Sequence, residues 1–142
     1  MTGNTELLNF VYQNAQMGTA TIHQLVELVE EGEFKTHLEA QLTGYRDMER
    51  EAVRLLEENG CDEKGLSAFE KIRTYLMIEV QTLSDKSSAH IAEMMMLGSN
   101  MSVINAIKNL RKYEGADRDI KALMERLRQF EERNIEQLKK FL

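Results

Sequence analysis

The sequence predicts an all-helical protein in which four long helices form one bundle. Three observations carry that expectation. The 142 residues contain no proline and only 8 glycines, so the commonest helix breaker is missing. Apolar residues recur at alternating steps of three and four, the spacing of one helix face. The links between these segments are short, apart from one in the middle of the chain.

Helix A is expected over about 4–31, with Asn4 as its N-cap. Its stripe is Leu8, Val11, Ala15, Gly18, Ile22, Leu25 and Val29, a heptad seam. Leu7, Met17 and Val26 widen it towards a second neighbour, and Gly32 is expected to stop it. Helix B, about 33–59, carries Phe34, Leu38, Gln41, Tyr45, Met48, Ala52 and Leu55 and ends on the capping pair Asn59-Gly60. Ser67 and Glu70 form a capping box that opens an extra helix over about 67–84. Helix C, about 89–113, bears Ala92, Met96, Ser99, Val103, Ala106 and Leu110. Asp117 can cap helix D, about 117–141, whose stripe is Ile120, Leu123, Leu127, Phe130, Asn134, Leu138 and Phe141.

The links set the expected topology. Tight turns make A–B and C–D two antiparallel hairpins, while the connection from B to C is long enough to travel the bundle. At ~1.5 Å per residue its helix spans about 25 Å, roughly one bundle length, so B and C should run parallel. Residues 1–142 then form a single domain that can bury roughly 70% of its unfolded surface.

Composition narrows the partners. With 42% hydrophobic and 30% charged residues the chain reads as globular rather than disordered. A net charge of −6 argues against nucleic acid, which calls for a concentrated positive face. Lys139 and Lys140 suit the negative end of a helix dipole. No apolar run approaches the ~20 residues of a membrane span. No Lys or Arg precedes Lys35, so no signal peptide and a cytoplasmic location are expected. Cys61 is the only cysteine, which removes internal disulfides and cysteine-rich metal sites and leaves an ordinary loop thiol.

Two segments resemble a known family. The stretch from Glu33-Phe34-Lys35-Thr36-His37-Leu38 to Leu55-Leu56-Glu57-Glu58-Asn59-Gly60 is similar to the second helix of rubrerythrin-type ferritin-like proteins. Glu131-Glu132-Arg133-Asn134-Ile135-Glu136-Gln137-Leu138 looks like their fourth, with Asn134 where a Glu-x-x-His pattern has its histidine. An uncharacterised bacterial branch of that superfamily is similar over nearly the whole chain. The resemblance implies a ferritin-like four-helix bundle with one long crossover.

It also implies a di-iron centre, and here the chain departs from the pattern. Such a centre takes a glutamate from each of two helices and a Glu-x-x-His from each of the other two. The 3 histidines, His23, His37 and His90, are preceded at the third position by Ala20, Phe34 and Ser87. Gln41 and Gly44 stand at helix B's pair, Glu131 and Asn134 at helix D's. Gln16 or Thr19 and Ser99 occupy the glutamate places of A and C. At most one ligand survives, so no cofactor and no di-iron chemistry are expected.

Gln41, Ser99 and Asn134 interrupt apolar stripes and should be buried at one depth, roughly 12–16 Å into the bundle, with His23 at nearly that level. Two readings are open. A neutral polar layer would fix register as a core asparagine does in a coiled coil. Alternatively, a repurposed site for a small polar ligand or a single metal would use His23, Glu27 and Glu131 beside the layer. His23 with Glu27 and His90 with Glu93 each offer only half of a zinc site and are expected at the surface.

The run Met94-Met95-Met96 cannot all face one core, because each residue turns by about 100°. Met96 fits the core stripe, and Met94 or Met95 is expected at a helix contact outside it. The extra helix carries apolar residues around much of its girth, among them Tyr75, Met77 and Ile78. A homodimer through this region, with Met94 and Met95, is the expected partnership, and a different protein partner is a further option. No nucleophile–base pair or phosphate-binding loop emerges. A non-catalytic helical module that self-associates or binds a partner is therefore expected, with a ligand binder at the polar layer as the alternative.

Overall fold

Four long helices account for most of the residues described in this computed structural model, namely 2–61, 76–77, 80 and 83–142. They are α1 (Asn4–Val26), α2 (Glu33–Glu58), α3 (Ser88–Lys112) and α4 (Arg118–Leu138), the last continued by a 3-10 turn over Lys139–Phe141. No strand occurs among the described residues.

The helix ends follow local chemistry. Gly3 precedes α1 with φ +86°, a left-handed conformation, and a side chain there would strike the Tyr113 ring. Asn4, expected as the cap, is instead the first helical residue. Its Oδ1 accepts the Asp117 backbone N–H at 2.9 Å and ties the start of α1 to the start of α4. Helix α1 stops at Val26, short of Gly32. Glu27, Glu30 and Glu31 would place three negative charges at the negative end of a longer helix. The Leu28 N–H turns back to the Leu25 carbonyl at 3.0 Å, and Gly32 becomes the N-cap of α2.

Helix α2 ends as Asn59-Gly60 predicts. Gly60, at φ +62°, donates its N–H to Glu57 at 3.1 Å, and Cys61 donates to Leu56 at 2.9 Å, the two bonds of a Schellman cap. Ser87 caps α3, its hydroxyl accepting the His90 N–H at 3.2 Å. Asp117 holds the N-cap position of α4 but its side chain makes no capping bond. Asp119 Oδ1 accepts the Ile120 N–H instead.

Contacts between helix ends give the directions. At one end, Thr5 Oγ1 lies 2.9 Å from Cys61 Sγ, and Asn4 meets Asp117. At the other, the Phe34 and Phe141 rings meet edge-on with centroids 4.9 Å apart, and Lys140 pairs with Glu33 at 2.6 Å. The start of α2 thus lies beside the end of α4. Since α3 turns directly into α4, α2 and α3 run the same way. The tightest pairings are α1 with α2 and α3 with α4, and one apolar cluster runs through all four.

Most of the predicted extra helix, including Ser67, Glu70, Tyr75 and Ile78, lies outside the described residues. Leu76, Met77 and Val80 are helical; Leu76 and Val80 are buried and Met77 is 47% exposed. Among the described residues no helix is long and apolar enough to cross a membrane.

Candidate functional site

Helix α4 buries a stripe of Ile120, Met124, Leu127, Glu131, Asn134 and Leu138. Its periodicity therefore carries one carboxylate, Glu131, into the core, where it is 2% exposed. A buried carboxylate costs several kcal/mol unless it is hydrogen-bonded. Here every helix supplies a donor. Asn14 of α1 donates Nδ2–H to Oε2 at 3.0 Å, and Tyr45 of α2 donates its hydroxyl to Oε1 at 2.5 Å. Ser99 of α3 donates to Oε1 at 3.1 Å, and Asn134, one turn on in α4, adds a long contact at 3.4 Å. All four partners are neutral.

Burial holds the Glu131 carboxyl above its ordinary value, and the four donors offset part of that rise. The Tyr45 phenol is held well above the usual tyrosine range, first by burial and then by the neighbouring Glu131 charge. The phenol therefore keeps its proton and remains a donor.

Glycines make room for this ring. A Cβ at Gly18 on α1 would fall 2.6 Å from Tyr45 ring atoms. The Tyr45 ring also meets Phe130 of α4 edge-on, with centroids 5.0 Å apart and planes at 86°. Phe130 in turn occupies the space that a side chain at Gly44 would need.

A cavity of about 20 Å³ lies beside the carboxylate, with Gly18, Tyr45, Leu76, Met95, Ser102 and Glu131 among its walls. That is room for about one water-sized molecule. Ser102 Oγ and Asn14 Oδ1 are buried with no hydrogen-bond partner among the described residues. The arrangement can hold a proton or one small polar molecule. Among the described residues no group of three or more His, Cys, Asp or Glu forms a metal cluster.

The structure brings together three of the five residues expected in the polar layer: Ser99, Glu131 and Asn134. Gln41 is buried but belongs to a different contact, its Nε2 lying 2.7 Å from His37 Nε2. His23 is exposed and meets Arg46 Nη2 at 2.8 Å, because one residue beyond Ile22 turns it about 100° away from the core. Asn14 and Tyr45 are the members that the sequence reading missed. Asn14 does carry a signal. It continues the second seam Leu7, Phe10, Asn14, Met17, Thr21, all buried, as its one amide.

The expected interface residues need correction. Met94 and Met95 are buried in the chain's own core, at 2% and 5% exposure, and Met96 is the half-buried one. Helix α3 buries a second seam, Ile91, Met95, Gly98 and Ser102, which rotates Met96 towards the rim. Leu76 packs on Gly98, a Cβ there meeting it at 3.3 Å. Methionine content alone does not separate these seams.

No family model, curated protein or solved structure matches this chain.

Proposed function

We propose that this chain is a ferritin-like four-helix bundle with a single long crossover, that it is not an enzyme, and that it acts by associating with a second copy of itself. The observation that carries the proposal is the outer face of α3. Leu97 and Ile104, seven residues apart on one helix face, are 49% and 46% exposed. Single exposed apolar residues are ordinary, but an aligned pair with half-buried Met101 between them makes a stripe suited to another helix.

The central layer supports the non-catalytic part. The residues present do not fit an iron pair. They provide one carboxylate and no imidazole, and Asn14, Tyr45, Ser99 and Asn134 turn their N–H and O–H groups towards that carboxylate. A di-iron site takes acceptor ligands from every helix. A donor ring around one carboxylate is the inverse arrangement, and it serves to lock four helices in register.

A second reading, binding of a small polar ligand or a single metal at the layer, is favoured by the cavity beside Glu131 and by Ser102, which has no hydrogen-bond partner among the described residues. Its volume limits the ligand to about the size of one water molecule.

Sedimentation velocity across a dilution series tests the main reading. A concentration-dependent species of twice the 16.4 kDa chain mass is expected. A single 16.4 kDa species at every concentration contradicts it. Calorimetry with ammonium or zinc salts tests the second reading, which predicts saturable heat that Glu131→Gln abolishes.

A further inference from the structure

The outer face of α3 carries charge in a definite order. Along one helix face, Glu93, Leu97, Asn100, Ile104, Lys108 and Arg111 are all exposed. At 100° per residue these positions fall within about 80° of one another. The face therefore begins with an acid, carries its two large apolar side chains in the middle, and ends with two bases. Among the described residues Glu93 and Lys108 enter none of the ion pairs.

We infer that α3 packs antiparallel against α3 of a second copy, about a two-fold axis that passes between Asn100 and Met101. The inference rests on the self-association reading and supplies its surface and orientation. About that point the face is its own complement. Leu97 of one copy lies opposite Ile104 of the other, since both are about 5 Å along the helix from the axis at 1.5 Å per residue. Glu93 likewise lies opposite Lys108, each about 11 Å from the axis. Because the interface is two-fold, each pairing occurs twice. Parallel pairing would instead set Glu93 against Glu93 and Lys108 against Lys108, which repel. Charge order thus selects the antiparallel arrangement, and the apolar pair selects the register.

The buried layer contributes rigidity. Ser99 on the inner face of α3 is bonded to Glu131, so the outer face is presented by a helix fixed to the other three. The pairing is modest in area, a single helix against a single helix, so a weak and salt-sensitive dimer is the expected form.

Charge reversal and crosslinking test the inference in the full-length chain. Glu93→Lys and Lys108→Glu are each expected to raise the dissociation constant about tenfold, since each change acts at two symmetric contacts. The double variant E93K/K108E should return it to near the parent value. With Cys61→Ser as background, Asn100→Cys should crosslink through a short bismaleimide into a covalent dimer, and Ala122→Cys on the exposed side of α4 should not. Glu93, Asn100, Lys108 and Ala122 are exposed and Cys61→Ser is a near-isosteric change, so far-UV circular dichroism should be unchanged. A dimer that ignores both reversals and gives no crosslink at Asn100 overturns the α3 pairing while leaving self-association standing. A chain that stays monomeric throughout overturns both.

Discussion

The Tyr45 hydroxyl donates to Glu131 Oε1 across 2.5 Å and so joins α2 to α4 through the middle of the bundle. A hydrogen bond to a buried charged group is worth about 1.5–3 kcal/mol. Tyr45→Phe keeps the ring and its edge-on contact with Phe130 but removes the donor. Urea unfolding of this variant should show a loss in that range with an unchanged m-value. A loss below about 0.5 kcal/mol would mean that the phenol does not support the carboxylate.

Glu131 itself should show a graded response. Glu131→Ala leaves donors from four helices without their acceptor and opens a cavity, so a loss of about 3–5 kcal/mol is expected. Glu131→Gln retains one carbonyl, and Asn14 can turn its unpartnered Oδ1 towards the new N–H₂. It should therefore cost about 1 kcal/mol. Equal losses for the two variants in denaturant melts would contradict the donor-ring account.

The pH dependence of Glu131 has an unusual sign. Its folded-state value is raised above 4.5 by burial, so between those two values the folded chain binds more protons than the unfolded one. The contribution of this group is fully present below 4.5 and is lost as pH rises through the folded value. In melts over pH 4–8 the stability advantage of the parent over Glu131→Gln should be smallest at the alkaline end. The difference should move in the parent's favour on acidification.

His37 acts in the opposite sense. Burial first, and then the Lys140 charge, lower it from 6.5. It supports the start of α2 through Gln41 and lies with its ring centroid 5.7 Å from that of Phe141. In this window the unfolded chain binds the proton more readily, so the stability it contributes above pH 6.5 is lost as pH falls towards the folded value. His37→Gln should flatten that part of the profile, and an unchanged slope would remove His37 as its source.

Gly18 gives a steric test. Alanine is the better helix former by about 1 kcal/mol, yet its Cβ would sit 2.6 Å from the Tyr45 ring. Overpacking of this kind costs about 1–3 kcal/mol, so Gly18→Ala should be neutral to destabilising despite the propensity gain. In Tyr45→Leu, which withdraws the ring, the same glycine change should become stabilising. A stabilising effect in the parent would show that the ring has room to move.

The four long helices were legible from apolar spacing, and Asn59-Gly60 marked the end of α2, whereas Asn4, Gly32 and Asp117 did not play the capping or stopping parts expected of them. Two of the layer's four donors were legible as well, since Ser99 and Asn134 interrupt apolar stripes. Gln41 interrupts its stripe equally but engages His37, and the layer's α2 member is Tyr45, one turn later. A long helical side chain leans towards the N-terminus, so the Tyr45 phenol reaches back to about the level of Gln41. Counting backbone positions cannot see that reach. Tyr45 also read as core filler, because the same residue type serves both purposes. His23 sat at the right depth on the wrong side of its helix. Depth and direction are separate coordinates, and only the second seam of α1 would have pointed to Asn14.

Metal content of protein purified without chelator or metal-affinity resin tests the central claim most directly. If Glu131 is an acceptor held by neutral donors, elemental analysis will find no stoichiometric metal. About two iron or manganese atoms per chain would contradict the account, because such a pair cannot be held by one carboxylate ringed by N–H and O–H donors.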